Sequence, residues 1–224
     1  MSTVLAFDCA VSGQGVAVVR DGASLASLFE EGRDQAARLL PAIAAALEQA
    51  GIARTELDLI AVTTGPGSFT GVRVGLSAAR GLAVGLGIPL AGIPTTTVLH
   101  TQATASDRLV VAAVDTRLGD WFCAIGDDPA PFAATAADLA ARLARHKCLI
   151  VGKDVAPLAA SLQAAGIDAI VQEGPPDPVA LGRLALVEGV EAWRARNRAE
   201  GLPRPLYLRG VNITLPDGAR RTVE

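Results

Sequence analysis

The stretch that most constrains this chain runs from Asp58 to Leu90. Asp58 to Thr63 is a short β-branched apolar run, which predicts a strand buried on both faces. Gly65-Pro66-Gly67 ends it, because glycine tolerates positive φ and proline fixes a turn. Ser68 is placed to cap the next helix by accepting from a free N–H near Thr70 or Gly71. That helix is expected from about Phe69 to about Gly85, with Pro89 past its end. Gly71, Gly75, Ala78, Leu82 and Gly85 fall three or four residues apart and share one face. Each interior glycine costs about 1 kcal/mol relative to alanine, so the face calls for close approach by a neighbour. Two neighbours are open: the chain's own sheet or helices, or a helix of a second polypeptide.

The rest of the chain reads outward from this unit. Thr3 to Phe7 is a strand ending at Asp8, Val16 to Arg20 a second, and Ala23 to Glu30 a third after the Asp21-Gly22 turn. Gln35 to Ala50 is a helix closed by Gly51, with an apolar stripe wide enough to face two neighbours. Pro89 to Ile93 is a strand, and Pro94 to His100 begins a helix. The order so far is β-β-β-α-β-α-β. Leu109 to Val114 then forms a strand ending at Asp115, and Asp120 to Ile125 returns after a turn. This echo of the opening unit predicts two related lobes, residues 1–105 and 106–224. In the second, Asp127 to Pro131 reads as a loop and Thr135 to Arg145 as a helix, followed by a strand at Cys148 to Val151. Ala156 to Ala165 is helical, Ile167 to Val171 a strand and Val179 to Ala199 one long helix. Leu202 to Arg209 is extended, and the tail beyond Pro216 is expected to be mobile.

Candidate chemistry is sparse. The loop at Gly65 lacks the Gly-Lys-Ser/Thr of a Walker A loop, and the dinucleotide spacing is one residue off at Gly71. Asp8 and Asp115 each end an apolar strand, where a carboxylate could hold Mg²⁺ near a nucleotide or cap its own turn. Arg73 and Arg80 lie two helical turns apart and suit a phosphate, a partner's carboxylates or a solvated edge. His100 and His146 form no HExxH or HxxxH, and Ser12, Ser68 and Ser77 lie outside any GxSxG. A net charge of −3 gives no general basic field for nucleic acid. Three cysteines without a CxxC suit a reducing, cytoplasmic setting. The N-terminus lacks a basic segment and does not read as a signal peptide. Arg80 and Pro89 interrupt the apolar run from Val74 to Ile93, which favours a buried helix over a membrane span. A noncatalytic scaffold gains weight from this poverty of reactive groups.

Residues 64–83, TGPGSFTGVRVGLSAARGLA, closely resemble the hallmark stretch of the bacterial TsaB (YeaZ) family. Arg38-Leu-Leu-Pro-Ala-Ile43, Val114-Asp-Thr-Arg117 and Pro205-Leu-Tyr-Leu-Arg209 resemble that family's pattern in the same order. The resemblance implies an actin/Hsp70-like ATPase (ribonuclease H-like) α/β fold with a reduced second lobe. It also implies a noncatalytic subunit of the machinery that places threonylcarbamoyl on the tRNA adenosine beside the anticodon. The implied partners are the catalytic paralogue TsaD, the ATPase TsaE, tRNA through the complex and, in isolation, a second copy of the chain. In this family the first two helices of each paralogue pack across the interface. The implied contact positions here are Leu40, Ile43, Leu47, Val72, Arg73, Gly75, Ala79, Arg80 and Ala83. The paralogue's metal-binding HxxxH corresponds to Thr95 and Leu99, and Asp8-Cys-Ala-Val11 replaces the family's common Asp-Thr-Ser-Thr. No cofactor is then required of this chain, with ATP or ADP and Mg²⁺ expected at the subunit interface or in the partner. A nucleotide-dependent kinase or hydrolase of the same fold is the alternative, with Asp8 and Asp115 at the metal; a metalloprotease is disfavoured by the missing histidine pair.

Overall fold

The computed structural model describes residues 1–32, 34–104, 107–209, 211–214 and 220–223. β1 (Thr3–Asp8), β2 (Gln14–Arg20) and β3 (Ala23–Glu30) form an antiparallel meander. α1 (Gln35–Ala50), β4 (Leu59–Thr63), α2 (Phe69–Leu86), β5 (Leu90–Ile93) and α3 (Thr95–Thr101) follow. β4 pairs parallel with both β1 and β5, giving the sheet order β3-β2-β1-β4-β5. The pattern then repeats. β6 (Leu109–Asp115), β7 (Trp121–Ile125) and β8 (Asp128–Ala134) are antiparallel, while β9 (Cys148–Gly152) and β10 (Ala169–Glu173) join parallel. The second sheet, β8-β7-β6-β9-β10, has the order of the first. Its helices α4 (Ala136–Leu143) and α5 (Ala156–Ala164) have 8 and 9 residues, where α1 and α2 have 16 and 18. At 1.5 Å per residue the second lobe carries helices of half the length.

Each central strand is buried on both faces, and its alternation shows why. On β1, Leu5 and Phe7 pack with α1 and α2, whereas Val4 and Ala6 face Leu181, Ala185 and Trp193. Those last residues belong to α6 (Pro178–Glu188) and α7 (Val190–Glu200), late in the chain. The division at residue 105 is corrected accordingly. α6 and α7 cover the first sheet, while Leu99 of α3 packs with Ala112, Val114, Leu149 and Val151 of the second. Each sheet has a second apolar face to bury, and the chain covers it by exchange between the halves.

Two elements differ from the sequence expectation. Asp128–Ala134 is an edge strand rather than a loop, since its Pro residues tolerate an edge where ladder donors are not all needed. The helix expected over 179–199 is broken by Gly189 at φ 88, in the left-handed region open to glycine. Leu202 to Arg209 forms no helix or strand, as expected. Of the tail beyond Pro216, residues 217–219 and 224 lie outside the described residues, and β12 (Arg220–Val223) pairs with β11 (Val211–Thr214). Among the described residues no helix is long and apolar enough to cross a membrane.

α2 starts where expected, with the Ser68 hydroxyl accepting from the Gly71 N–H at 3.2 Å, and ends at Gly87 in the left-handed conformation. Its glycines divide into two kinds. A Cβ on Gly71 would strike the Cys9 carbonyl, which marks close seating just past β1, whereas one on Gly75 would lie 3.4 Å from Val62 of β4, an ordinary contact. Gly81 and Gly85 face open space. Gly71→Ala is therefore expected to lose about 2 kcal/mol or more, because backbone cannot yield. Gly81→Ala is expected to gain about 0.5–1 kcal/mol from helix propensity alone. Urea unfolding of both variants checks the opposite signs.

Candidate functional site

Two concavities meet at the N-terminus of α2. The larger, of about 690 Å³, lies between the lobes. Its walls are the turns after β1 and β6, the α2 N-terminus and the extended segment Leu206–Arg209. The smaller, of about 560 Å³, is a shallow groove between α1 and α2 lined by Ala36, Leu40, Phe69, Val74 and Ala78 among others. Phe69 and Thr70 border both.

The two acids occupy matching places, each ending the first strand of its sheet. Asp8 Oδ1 accepts from the Ala10 N–H at 3.0 Å, and Asp115 Oδ1 accepts from the Arg117 N–H at 2.7 Å. Both close their own turns. Asp115 is exposed and lines the cleft. Asp8 does not line it: the residue is 2% exposed, beneath the turn, with Oδ1 also accepting from the Thr63 hydroxyl at 2.5 Å. Burial raises its pKa from 3.8 to about 6, against the lowering effect of those hydrogen bonds. The expectation of Asp8 and Asp115 facing a shared Mg²⁺ is corrected on this geometry.

The cleft also fits a magnesium nucleotide poorly. In the β1–β2 turn, Ala10 and Val11 line the cleft without hydroxyls and Ser12 supplies one. The Ala10 carbonyl is taken by the Ser68 N–H at 2.6 Å. Among the described residues no three His, Cys, Asp or Glu side chains group as metal ligands. Thr95 and Leu99 are both fully buried on α3, and Leu99 is part of the core. Cys9 and Cys123 are buried in apolar surroundings, which push the Cys123 thiol up to about 12 and the Cys9 thiol higher, so neither is a ready nucleophile.

The expected contact positions separate by burial. Ile43, Leu47, Val72, Gly75, Ala79 and Ala83 all lie in the chain's own core, turned toward the first sheet, and are corrected as contact residues. Arg80 is also committed internally, donating to the Pro203 carbonyl at 3.0 Å through Nε and at 2.6 Å through a terminal nitrogen. Leu40 is 56% exposed and Arg73 is exposed, so these two remain at the surface. Arg73 stacks 3.6 Å from the Phe69 ring centroid and donates to the Tyr207 hydroxyl at 2.8 Å. Sequence reasoning chose the buried side of α2 because glycines signal close approach, which here is to the chain's own strands. It passed over Ala36, Phe69 and Val74, and it named Ala78 on the small-residue face without placing it among the contact positions. The signal for them was the width of the apolar stripes, wider than one sheet contact needs.

The family model described as TsaD, tRNA N6-adenosine threonylcarbamoyltransferase, matches residues 30–212. The tRNA threonylcarbamoyladenosine biosynthesis protein TsaB of Escherichia coli (strain K12) is 36% identical over 126 residues, 54% of this chain and 53% of that protein. The chain thus spans about half the length of the curated relatives it matches. A solved structure from Pseudomonas aeruginosa, an uncharacterized protein with similarity to peptidase YeaZ, is 27% identical. It covers 93% of this chain and 100% of its own, with a TM-score of 0.73. Component A of (R)-2-hydroxyglutaryl-CoA dehydratase from Acidaminococcus fermentans, 10% identical, covers 87% of this chain and 99% of its own at a TM-score of 0.50, which concerns the fold alone. The fold is α/β, built on two five-stranded sheets of the same strand order.

Asp8 carries a pH signature. Its folded pKa lies above the unfolded value, so the folded state binds the proton more tightly and stability falls as pH rises from about 4 to about 6. The shift corresponds to a loss of about 3 kcal/mol, which levels off about one unit above the folded pKa. Urea unfolding across pH 4–7 is expected to show this decline in the parent and to lack it in Asp8→Asn.

Proposed function

Because the chain belongs to the TsaD family of tRNA N6-adenosine threonylcarbamoyltransferases and closely resembles its bacterial TsaB (YeaZ) members, we propose that it is a noncatalytic subunit of the tRNA threonylcarbamoyladenosine machinery. Its work is to bind and stabilise the catalytic TsaD paralogue, with TsaE and tRNA joining through the complex and self-pairing when the paralogue is absent. The observation that carries this reading is the α1–α2 groove. Leu40 and Phe69 stand 56% and 44% exposed beside the half-buried Val74 and Ala78, an apolar strip with small residues at its floor. Such a strip suits a helix of matching shape, whose backbone can descend where the side chains are alanine. Arg73, stacked on Phe69 at the rim, adds a planar cation for a partner's carboxylate.

The placement of Thr95 and Leu99 in the core supports the noncatalytic part of the reading, since neither side chain replaces a histidine ligand. Any ATP or ADP with Mg²⁺ then belongs to the partner or the shared interface.

Leu40→Asp and Ala78→Arg change the groove without entering the first sheet. Each is expected to weaken binding to the purified TsaD paralogue at least about tenfold. Titration calorimetry and light scattering read this, with circular dichroism confirming the fold. The chain alone is expected to hydrolyse ATP at background rate. Undiminished binding by both variants rejects the groove. Mg²⁺-dependent turnover that vanishes in Asp115→Ala favours the kinase or hydrolase reading instead.

A further inference from the structure

Residues 202–209 do more than return along the surface. On the first lobe the segment is held at three points. Arg80 donates to the Pro203 and Leu202 carbonyls, the Leu206 N–H donates to the Thr64 carbonyl at 2.8 Å, and Tyr207 accepts from Arg73. Its last described residue then crosses to the other lobe. Arg209 pairs with Asp120, which directly precedes β7, and its guanidinium lies 5.8 Å from the Phe122 ring centroid. The Asp120 side chain is only 11% exposed and also accepts from the Thr116 hydroxyl, so the pair is partly desolvated.

We infer that residues 202–209 form an interlobe latch, anchored along α2 and closed on the second lobe by Arg209 and Asp120. A second bridge, Lys153 to Glu31 at 2.6 Å, joins the lobes elsewhere on the cleft. Its Glu31 side chain is 73% exposed, so solvent screens it and it holds less strongly than the Arg209 clasp. The latch forms one wall of the cleft through Leu206, Tyr207, Leu208 and Arg209, so closing it sets both the lobe angle and the cleft mouth. Tyr207 hangs on Arg73, which lines the α1–α2 groove, so the latch touches both concavities. This inference stands apart from the assembly role and is tested on the chain alone.

Spin labels at Ser24→Cys on β3 and Ala160→Cys on α5 report the lobe separation, since both positions are exposed and the native cysteines are buried. In the full chain, Arg209→Gln is expected to shift the distance distribution to longer, broader values. Arg209→Lys, which keeps the charge, is expected to hold it near the parent. Arg209 is 38% exposed, so neither change empties a core site, and near-UV circular dichroism verifies the fold. Distributions that match the parent in both variants, or that open equally in both, overturn the latch.

Discussion

The structure depends on how closely the start of α2 sits on the end of β1. Gly71 lies against the Cys9 carbonyl and Gly67 against the Ala10 backbone, while the Ser68 N–H binds the Ala10 carbonyl. Main chain meets main chain there, so side chains cannot take the place of this contact. From it the 64–68 loop becomes a junction. The Gly65 carbonyl accepts from the Thr95 N–H at 2.8 Å, which starts α3, and the Thr64 carbonyl accepts from Leu206, which seats the latch segment. The buried polar groups of an irregular loop are thereby satisfied. Val72, Leu76, Ala79 and Ala83 then descend from this anchor into the core in register.

Much of this was legible in sequence for a physical reason. Strands buried on both faces read as unbroken apolar runs, and glycine or serine at a helix end carries its own geometry, so β1, β4, α1 and α2 emerged within a residue or two. The kinship of the two halves was visible as a repeated strand–Asp–turn–strand, though not their strand order. What pattern could not give was partnership. Leu181, Ala185 and Trp193 are apolar at helical spacing wherever their helix packs, and nothing local says that they cover the other half's sheet. The same limit misassigned the face of α2. A glycine announces close approach, but Gly71 and Gly75 meet strands whereas Gly81 and Gly85 meet solvent, and composition cannot separate those cases.

The asymmetry of the lobes lies in their helices and not in their sheets. The second sheet keeps five strands in the first sheet's order, so its three central strands are paired on both sides. Its helices, at half length, bury less of that sheet: Ile170 and Val171 on the edge strand β10 remain 44% and 39% exposed. α3 covers the opposite face of β6 and β9 with Leu99. Leu99 thus serves as packing between the halves.

The paired aspartates extend that reasoning from packing to chemistry. A carboxylate at the end of a central strand is well placed for a metal only where it presents an oxygen to the open cleft. Asp8 has spent Oδ1 on Ala10 and Thr63 beneath the turn, and burial favours its neutral form. Asp115 has spent one oxygen on Arg117, which sits at φ 58, a left-handed conformation that the short aspartate turn helps to hold. The requirement both residues meet is therefore the sharp reversal after each first strand. Those reversals shape the cleft whether or not anything reacts within it, and they hold the two lobes and the helix pair of the first lobe in place.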